Sequence, residues 1–512
     1  MEDSGGGTAD GGDPSSESTR NAALPEIIVI SKHGDVVLDA TFQNSKHTIR
    51  SARKAAAQIQ PRHTGRAPPP PPQPLPRARV RLAFRVDLAV LKKQSKYFDK
   101  LLGDTHFKEA KDIADTISAL SLKGVKPGEA DSKDLPWIQI QDDDEATSYA
   151  YRETAFADLL RILHGADAKT SQAQTTMPFV TTLAVLADRF DCTAAVSRYV
   201  STGLKFKWPV TSRRPTRDDG TASFNSMSRA SENVLRQKIL VSWLLNQPTK
   251  FQAATRELIM NGSCLWSLFG EGEEDETTTW WYLQDGLEQE LQYRRNCILN
   301  TLASIPRHFL VLYTSVRGMR QCKLGYDSSV ACDSYQLGEM FKFLTNKGLF
   351  FLADFSPKSL DGLSDATLLP VDGVLAALRQ CPAYQIDKNH TNCGLRTRLL
   401  PLLDFLQGLL SANSIPISQP AWKNHRAAHS WMPVEDKEAV TRVNGGGEEG
   451  ERPFRFTRSL AGDQRLRFEN AMGADQFARD VFTATSWDWT AEDQAPDHAP
   501  SHTSTTPRWS FK

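Results

Sequence analysis

The sequence predicts an α+β N-terminal unit followed by a second unit made almost entirely of helix. Three observations predict this. Short β-branched runs with period-two alternation lie before residue 141. From Ser228 onward, apolar residues recur at helical spacing. Between the two lies a polar stretch, about Ser212 to Ser226. At 512 residues the chain is long enough for two or three domains.

Residues 1–24 are rich in Gly, Ser and acids, and read as a disordered tail. The first unit spans 25–206. It opens with the runs Ile27–Ile30 and Val36–Phe42, split by the turn His33-Gly34-Asp35. An insertion follows over 45–79. The stretch Ser45–Arg81 holds nine Lys/Arg and no acid, with the tract Ala67–Pro76 predicted to stay extended because proline lacks a backbone donor. Val80–Val86 reads as a strand, and Asp87–Leu102 as helix with Leu88, Leu91, Phe98 and Leu102 inward. Asp112–Pro136 reads as a second, polar insertion. Trp137–Ile140 is a strand. The acids Asp142–Glu145 are expected to open a helix through Phe156, Leu159, Leu160 and Leu163, because negative charge suits a helix N-terminus. Met177–Phe190 and Thr193–Tyr199 complete the unit.

A linker is expected at 207–227 and a helical domain at 228–434. Its predicted helices are Ser228–Asn246, Leu287–Leu312 with Pro306 as a kink, Tyr335–Lys347 opened by a capping box Asp333-x-x-Gln336 and closed by Gly348, and Leu395–Leu410. Residues 435–512 read as a mostly disordered tail.

The chain carries 61 basic and 61 acidic residues, so no overall field draws it to nucleic acid or an anionic membrane. No run reaches the ~20 apolar residues of a membrane span. No secretory pattern opens the chain. The expected location is cytoplasm or nucleus. Seven cysteines in such a compartment point to free thiols or a metal site instead of disulfides.

The order of strand, hairpin, Leu91-x3-Ser95-x2-Phe98-x3-Leu102, strand, Leu160-Arg-Ile-Leu163-His-Gly165 and Leu183-x2-Leu186-Ala187-Asp188-x-Phe190 resembles a BTB/POZ domain. Phe84-Arg-Val, Phe107-Lys-Glu109-Ala and Ile138-x-Ile140-x-Asp142 add to the resemblance, which covers about Asp35 to Lys205. The second half, with Gly325-Tyr-Asp-Ser-Ser, Cys332–Gly338 and His390–Arg396, is similar to fungal BTB-containing proteins of undefined role. A histidine usual after the hairpin phenylalanine is replaced by Val86 and Asp87. The resemblance implies self-association, protein partners and, in some members, recruitment of a cullin scaffold of a ubiquitin ligase through a hydrophobic-x-Glu motif. Phe107-Lys108-Glu109 fits that motif, and Phe98, Phe107 and Glu109 are the implied partner-binding residues. The alternative is that Phe107 is an edge-of-core residue and Glu109 a solvated charge.

The sharpest chemical reading from the residues is a metal site. Cys322, Cys332, His390 and Cys393 would make a closed tetrahedral set suited to structural zinc, with His390-x2-Cys393 letting one loop give two ligands. Otherwise these cysteines are small buried hydrophobes, as Cys381 is expected to be. His425-x3-His429 lacks the glutamate of a metalloprotease, because Arg426 stands there. Trp280-Trp281 and Trp487-x-Trp489 read as exposed aromatics, the first pair alternatively packing where a helix begins. The basic insertion reads as a spacer or a ligand for proline-binding modules. It lacks aromatics for stacking, so nucleic acid is not an expected partner, although a chromatin regulator remains an alternative. No nucleophile elbow, phosphate loop or dinucleotide fingerprint is present, and the chain is not expected to be an enzyme. A metal-containing hydrolase is the remaining rival.

Overall fold

The computed structural model describes residues 25–58, 75–142, 146–170, 175–211, 227–266, 278–314, 321–322, 324–354, 369–390, 393–411 and 415–432. The expected tails, residues 67–74 of the polyproline tract, Trp487, Trp489 and the Ser212–Ser226 stretch lie outside those residues. The chain divides into two compact units, Met1–Phe206 and Lys207–Lys512.

The first unit is α+β. Its mixed sheet has the order β1-β3-β2-β4, with β1 Glu26–Val29, β2 Val36–Gln43, β3 Arg79–Val86 and β4 Trp137–Gln141. β2 and β3 pair antiparallel, with Leu38 opposite Phe84 and Thr41 opposite Arg81. β1 runs parallel to β3, and β4 parallel to β2. The alternation of residues along these strands decides both faces. Leu38, Ala40, Phe42, Phe84 and Ile138 form the inner face, where Phe156 meets Phe84 and Phe42 edge-on at 5.3 and 5.9 Å. On the other face, Val37 and Ala83 are covered by Leu120, Ala130 and Leu135. The far end of that face is polar: Asp39, Thr41, Gln43, Arg79, Arg81, Gln139 and Gln141 line one shallow concavity.

Helices α1 Lys46–Gln58, α2 Leu88–Gln94, α3 Lys96–Gly103, α4 Lys108–Leu122, α5 Arg152–Leu163, α6 Met177–Arg189 and α7 Thr193–Thr202 complete the unit. Ser95 ends α2 and caps α3: its backbone N–H reaches Leu91 O, and its hydroxyl accepts from Phe98 N and donates to Phe190 O at 2.5 Å. Such an N-cap is worth about 1 kcal/mol.

Four expectations are corrected here. The basic insertion is no plain spacer over its first part, because Lys46–Gln58 is helical, with Ser45 Oγ accepting from Thr48 N at its start. Asp112–Pro136 is no loose insertion, since α4 and a short 3-10 turn at Pro127–Glu129 close over the sheet through Leu120. The acids after β4 do not open α5, which begins ten residues after Asp142. Asp142 instead takes Arg152, itself 1% exposed, and stands 3.7 Å from Arg189. Phe98 is no partner contact: it is fully buried and stacks on Phe190 at 5.1 Å. Its apolar ring is worth more in the core than at a wet edge.

The second unit is helical: α8 Arg229–Leu244, α9 Pro248–Asn261, α10 Leu287–Thr314, α11 Ser329–Asn346, α12 Val371–Arg379, α13 Leu395–Ser411 and α14 Gln419–His429. Its core gathers Leu235, Ile239, Phe251, Leu291, Ile298, Leu302, Phe309, Leu375 and Leu403. α10 contains Pro306 within its span. Pro248 starts α9, where its missing N–H would have had no helical partner anyway. Trp280 and Trp281 are buried and not exposed. Arg236, fully buried, is held by Glu232, Glu288, Ser263 Oγ and Trp281 O, and Arg294 by Glu290 and by the carbonyls of Ile415, Pro416 and His429. A buried guanidinium is tolerable only with such compensation. Among the described residues no helix is long and apolar enough to cross a membrane.

Candidate metal centre

Four side chains far apart in sequence converge in the second unit. Cys322 precedes α11, Cys332 lies on its first turns, and His390 and Cys393 belong to the segment entering α13. Their ligand atoms all lie within 4.8 Å of one another, and the set could hold a metal ion.

The local structure explains how each arrives. α11 begins at Ser329, six residues before the expected Tyr335, so Asp333 and Gln336 are interior residues and form no capping box. Each does something else. The Asp333 carboxylate accepts from Gln321 N at 2.7 Å and from Cys322 N at 3.1 Å, which fixes the Cys322 backbone beside Cys332. Arg398 adds a contact of 3.1 Å to Gln321 Oε1. Gln336 is fully buried. Its Nε2 donates to Tyr384 O at 3.0 Å and its Oε1 accepts from Leu395 N at 3.0 Å, so one side chain ties both ends of the segment carrying His390 and Cys393. Gly394 allows that closure: a Cβ there would stand 2.9 Å from Tyr384 O. Within the segment, His390 N donates to Asp387 O and Cys393 N to His390 O, a tight double turn.

His390 is fully buried and its two nitrogens face different surroundings. Nδ1 lies 3.5 Å from Cys322 Sγ. Nε2 lies 3.0 Å from Ser328 Oγ, whose hydroxyl donates to Asp387 Oδ2 at 2.5 Å. With its proton given to Asp387, the Ser328 oxygen accepts from Nε2–H, which leaves the Nδ1 lone pair turned to the thiols. A hydrogen-bonded outer shell of this kind orients metal-bound histidines generally.

Two of the six ligand-to-ligand distances match the edges of a tetrahedral site, and all six lie within 4.8 Å. With metal–sulfur bonds of about 2.3 Å and metal–nitrogen bonds of about 2.0 Å, a tetrahedron has S···S edges of about 3.8 Å and S···N edges of about 3.5 Å. Cys322 Sγ···Cys393 Sγ is 3.7 Å, and Cys322 Sγ···His390 Nδ1 is 3.5 Å. The thiols are electrostatically uneven. Burial and the neighbouring Cys322 and Cys393 push Cys332 up to about 12, and burial, then Cys322, pushes Cys393 up. Burial also opposes ionisation of Cys322, but hydrogen bonds from the Ser329 side chain and the Leu324 N–H outweigh it and bring that thiol down. A dication would be needed to take the protons from all three.

The four residues singled out as ligands in the sequence are thus brought together. Cys381 is fully buried outside the set, with burial raising it to about 11. His425 and His429 are exposed on α14 and belong to no such group. Sequence reasoning missed Ser328, Asp387, Asp333 and Gln336. The one signal available was Asp387 three residues before His390, a spacing that permits a turn contact. Elsewhere, Phe107 stands 43% exposed at the start of α4, with Glu109 half-buried in its first turn. No family model, curated protein or solved structure matches the chain.

Proposed function

We propose that this chain is a protein-interaction protein: a BTB/POZ-like first unit self-associates and binds other proteins, and a second unit is held in shape by one structural zinc ion. The observation that carries the reading is the closed Cys322–Cys332–His390–Cys393 set. Three sulfurs and one nitrogen are the donors zinc favours, and four protein ligands leave no position for water or substrate. A metal so enclosed does no hydrolysis, which favours this reading over a metal-containing hydrolase. A unit that commits three buried side chains and the half-buried Cys393 to holding its shape is a platform for surface recognition.

For the first unit, support comes from the element order β2–β3–α2–α3–β4–α5–α6, the order on which the family resemblance rests. At one end of α4, Phe107 is exposed and Glu109 half-buried, which leaves both reachable for a cullin-type contact. Location in cytoplasm or nucleus follows from the same proposal, where free thiols persist.

The test is a paired measurement on the full chain. Elemental analysis should find one zinc per chain, and light scattering should find a dimer or larger assembly. A monomer at micromolar concentration would overturn self-association, and a metal-free chain from zinc-replete cells would overturn the zinc platform. Glu109→Lys should abolish cullin co-purification without moving the thermal melt. Wild type that never co-purifies ends the cullin part.

A further inference from the structure

We infer that the exposed basic face of α1 is a docking surface for the phosphate backbone of a nucleic-acid duplex. Read as a spacer, the insertion has no fixed geometry that would place its charges on one face. As a helix it does. Lys46, Arg50, Arg53 and Lys54 stand at i, i+4, i+7 and i+8, on one side of α1, and all four are exposed. Thr48 is buried, and Ile49 and Ala52 are half-buried on the side turned inward.

From Lys46 to Lys54 is eight steps of about 1.5 Å, so the stripe is about 12 Å long. Over that length a duplex presents about seven phosphate charges, one per ~1.7 Å of axis. The stripe extends further at its N-terminal end. Asn44 Nδ2 donates to Arg77 O at 2.7 Å and Asn44 N to Ala78 O at 2.9 Å, so the returning chain runs beside the start of α1 and brings exposed Arg79 with it. Arg81 is engaged by Asp39 at 2.6 Å, and Arg77 acts on the Glu153 carboxylate, so neither is counted. Ser45–Gln58 contains no acid, and among the described residues no carboxylate pairs with the four α1 cations. On a chain of zero net charge this is an uncompensated local field.

The chemistry selects among polyanions. A membrane-surface helix needs large apolar side chains exposed beside its cations, but Ile49 is the one large apolar residue of α1 and is half-buried. Single strands are gripped by stacking, and Ser45–Arg81 has no Phe, Tyr or Trp. A duplex needs neither, because its phosphates are held by cations alone and without sequence preference.

The experiment uses the full chain and a fluorescent duplex of about 20 base pairs, followed by anisotropy. The four α1 cations alone, at one phosphate contact each, should weaken binding about 150-fold between 50 and 200 mM salt, a slope of about −3.6 in log–log form. The triple variant Arg50→Ala, Arg53→Ala, Lys54→Ala should flatten that slope by about 2.7. Alanine favours helix, so the far-UV spectrum should be unchanged. Absence of binding at 50 mM salt, an unchanged slope in the variant, or tighter binding to phosphatidylserine vesicles than to duplex would each overturn the inference.

Discussion

Removing the metal should loosen the second unit by an amount the ligand spacing sets. Cys322 and Cys393 are 71 positions apart, and an ion bound by both closes that loop. Closing a loop of this length costs about 4 kcal/mol of chain entropy, by 3/2 RT ln n. The ion supplies this restraint together with the hydrogen bonds of Asp333 and Gln336, which hold the same segments without it. The net contribution of the ion should therefore be about 2–4 kcal/mol. For a unit of this size each kcal/mol moves the melting midpoint by about 2–4 °C, so the loss is about 4–16 °C. Calorimetry of the full chain is the assay, comparing zinc-loaded wild type, chelated wild type and Cys332→Ser. One transition should fall by that amount in the last two, and the other should stay in place. If zinc is bound and every transition holds within about 2 °C on chelation, the ion is not structural and the reasoning fails.

The uneven thiols set a pH dependence. Burial raises Cys332 and Cys393, so both bind protons in the metal-free fold and must lose them to the ion. Zinc affinity should fall as pH falls, by up to about tenfold per pH unit for each thiol displaced, which competition titrations from pH 8 to pH 6 would measure. Ser328→Ala leaves all four ligands but removes the acceptor that orients His390; zinc affinity should drop about 10–100-fold with the global melt of the loaded protein little changed. Phe98→Ala should destabilise the first unit by about 3–5 kcal/mol in urea unfolding, because it empties a site stacked on Phe190. Phe107→Ala, at an exposed position, should stay within about 0.5 kcal/mol.

Much of the second unit was legible because its signal is periodic and local. Leu235 and Ile239 on α8, and Leu291, Ile298, Leu302 and Phe309 on α10, repeat at helical spacing and all prove buried. The four metal ligands were legible as a chemical type, since thiols and an imidazole have few other roles as a group. Misreadings came where a residue has two local meanings. Asp333 and Gln336 match a capping box, yet α11 starts earlier and both side chains serve segments distant in sequence. Asp142 looks like a helix-opening acid, but Arg152 and Arg189 claim it. The polar composition of α4 hid a single apolar stripe through Ala110, Ile113 and Leu120, too narrow to outweigh its charges.

By itself, then, the sequence determined the four strands, the long periodic helices α8, α10 and α13, and which side chains are chemically fit to bind a metal, because periodicity and ligand chemistry are properties of residues and their near neighbours. Only the tertiary structure decided that Cys322 and Cys393, 71 positions apart, stand 3.7 Å from each other, that His390 presents Nδ1, and that Phe98 faces a core. Those outcomes depend on contacts between residues far apart along the chain, and no local pattern encodes them.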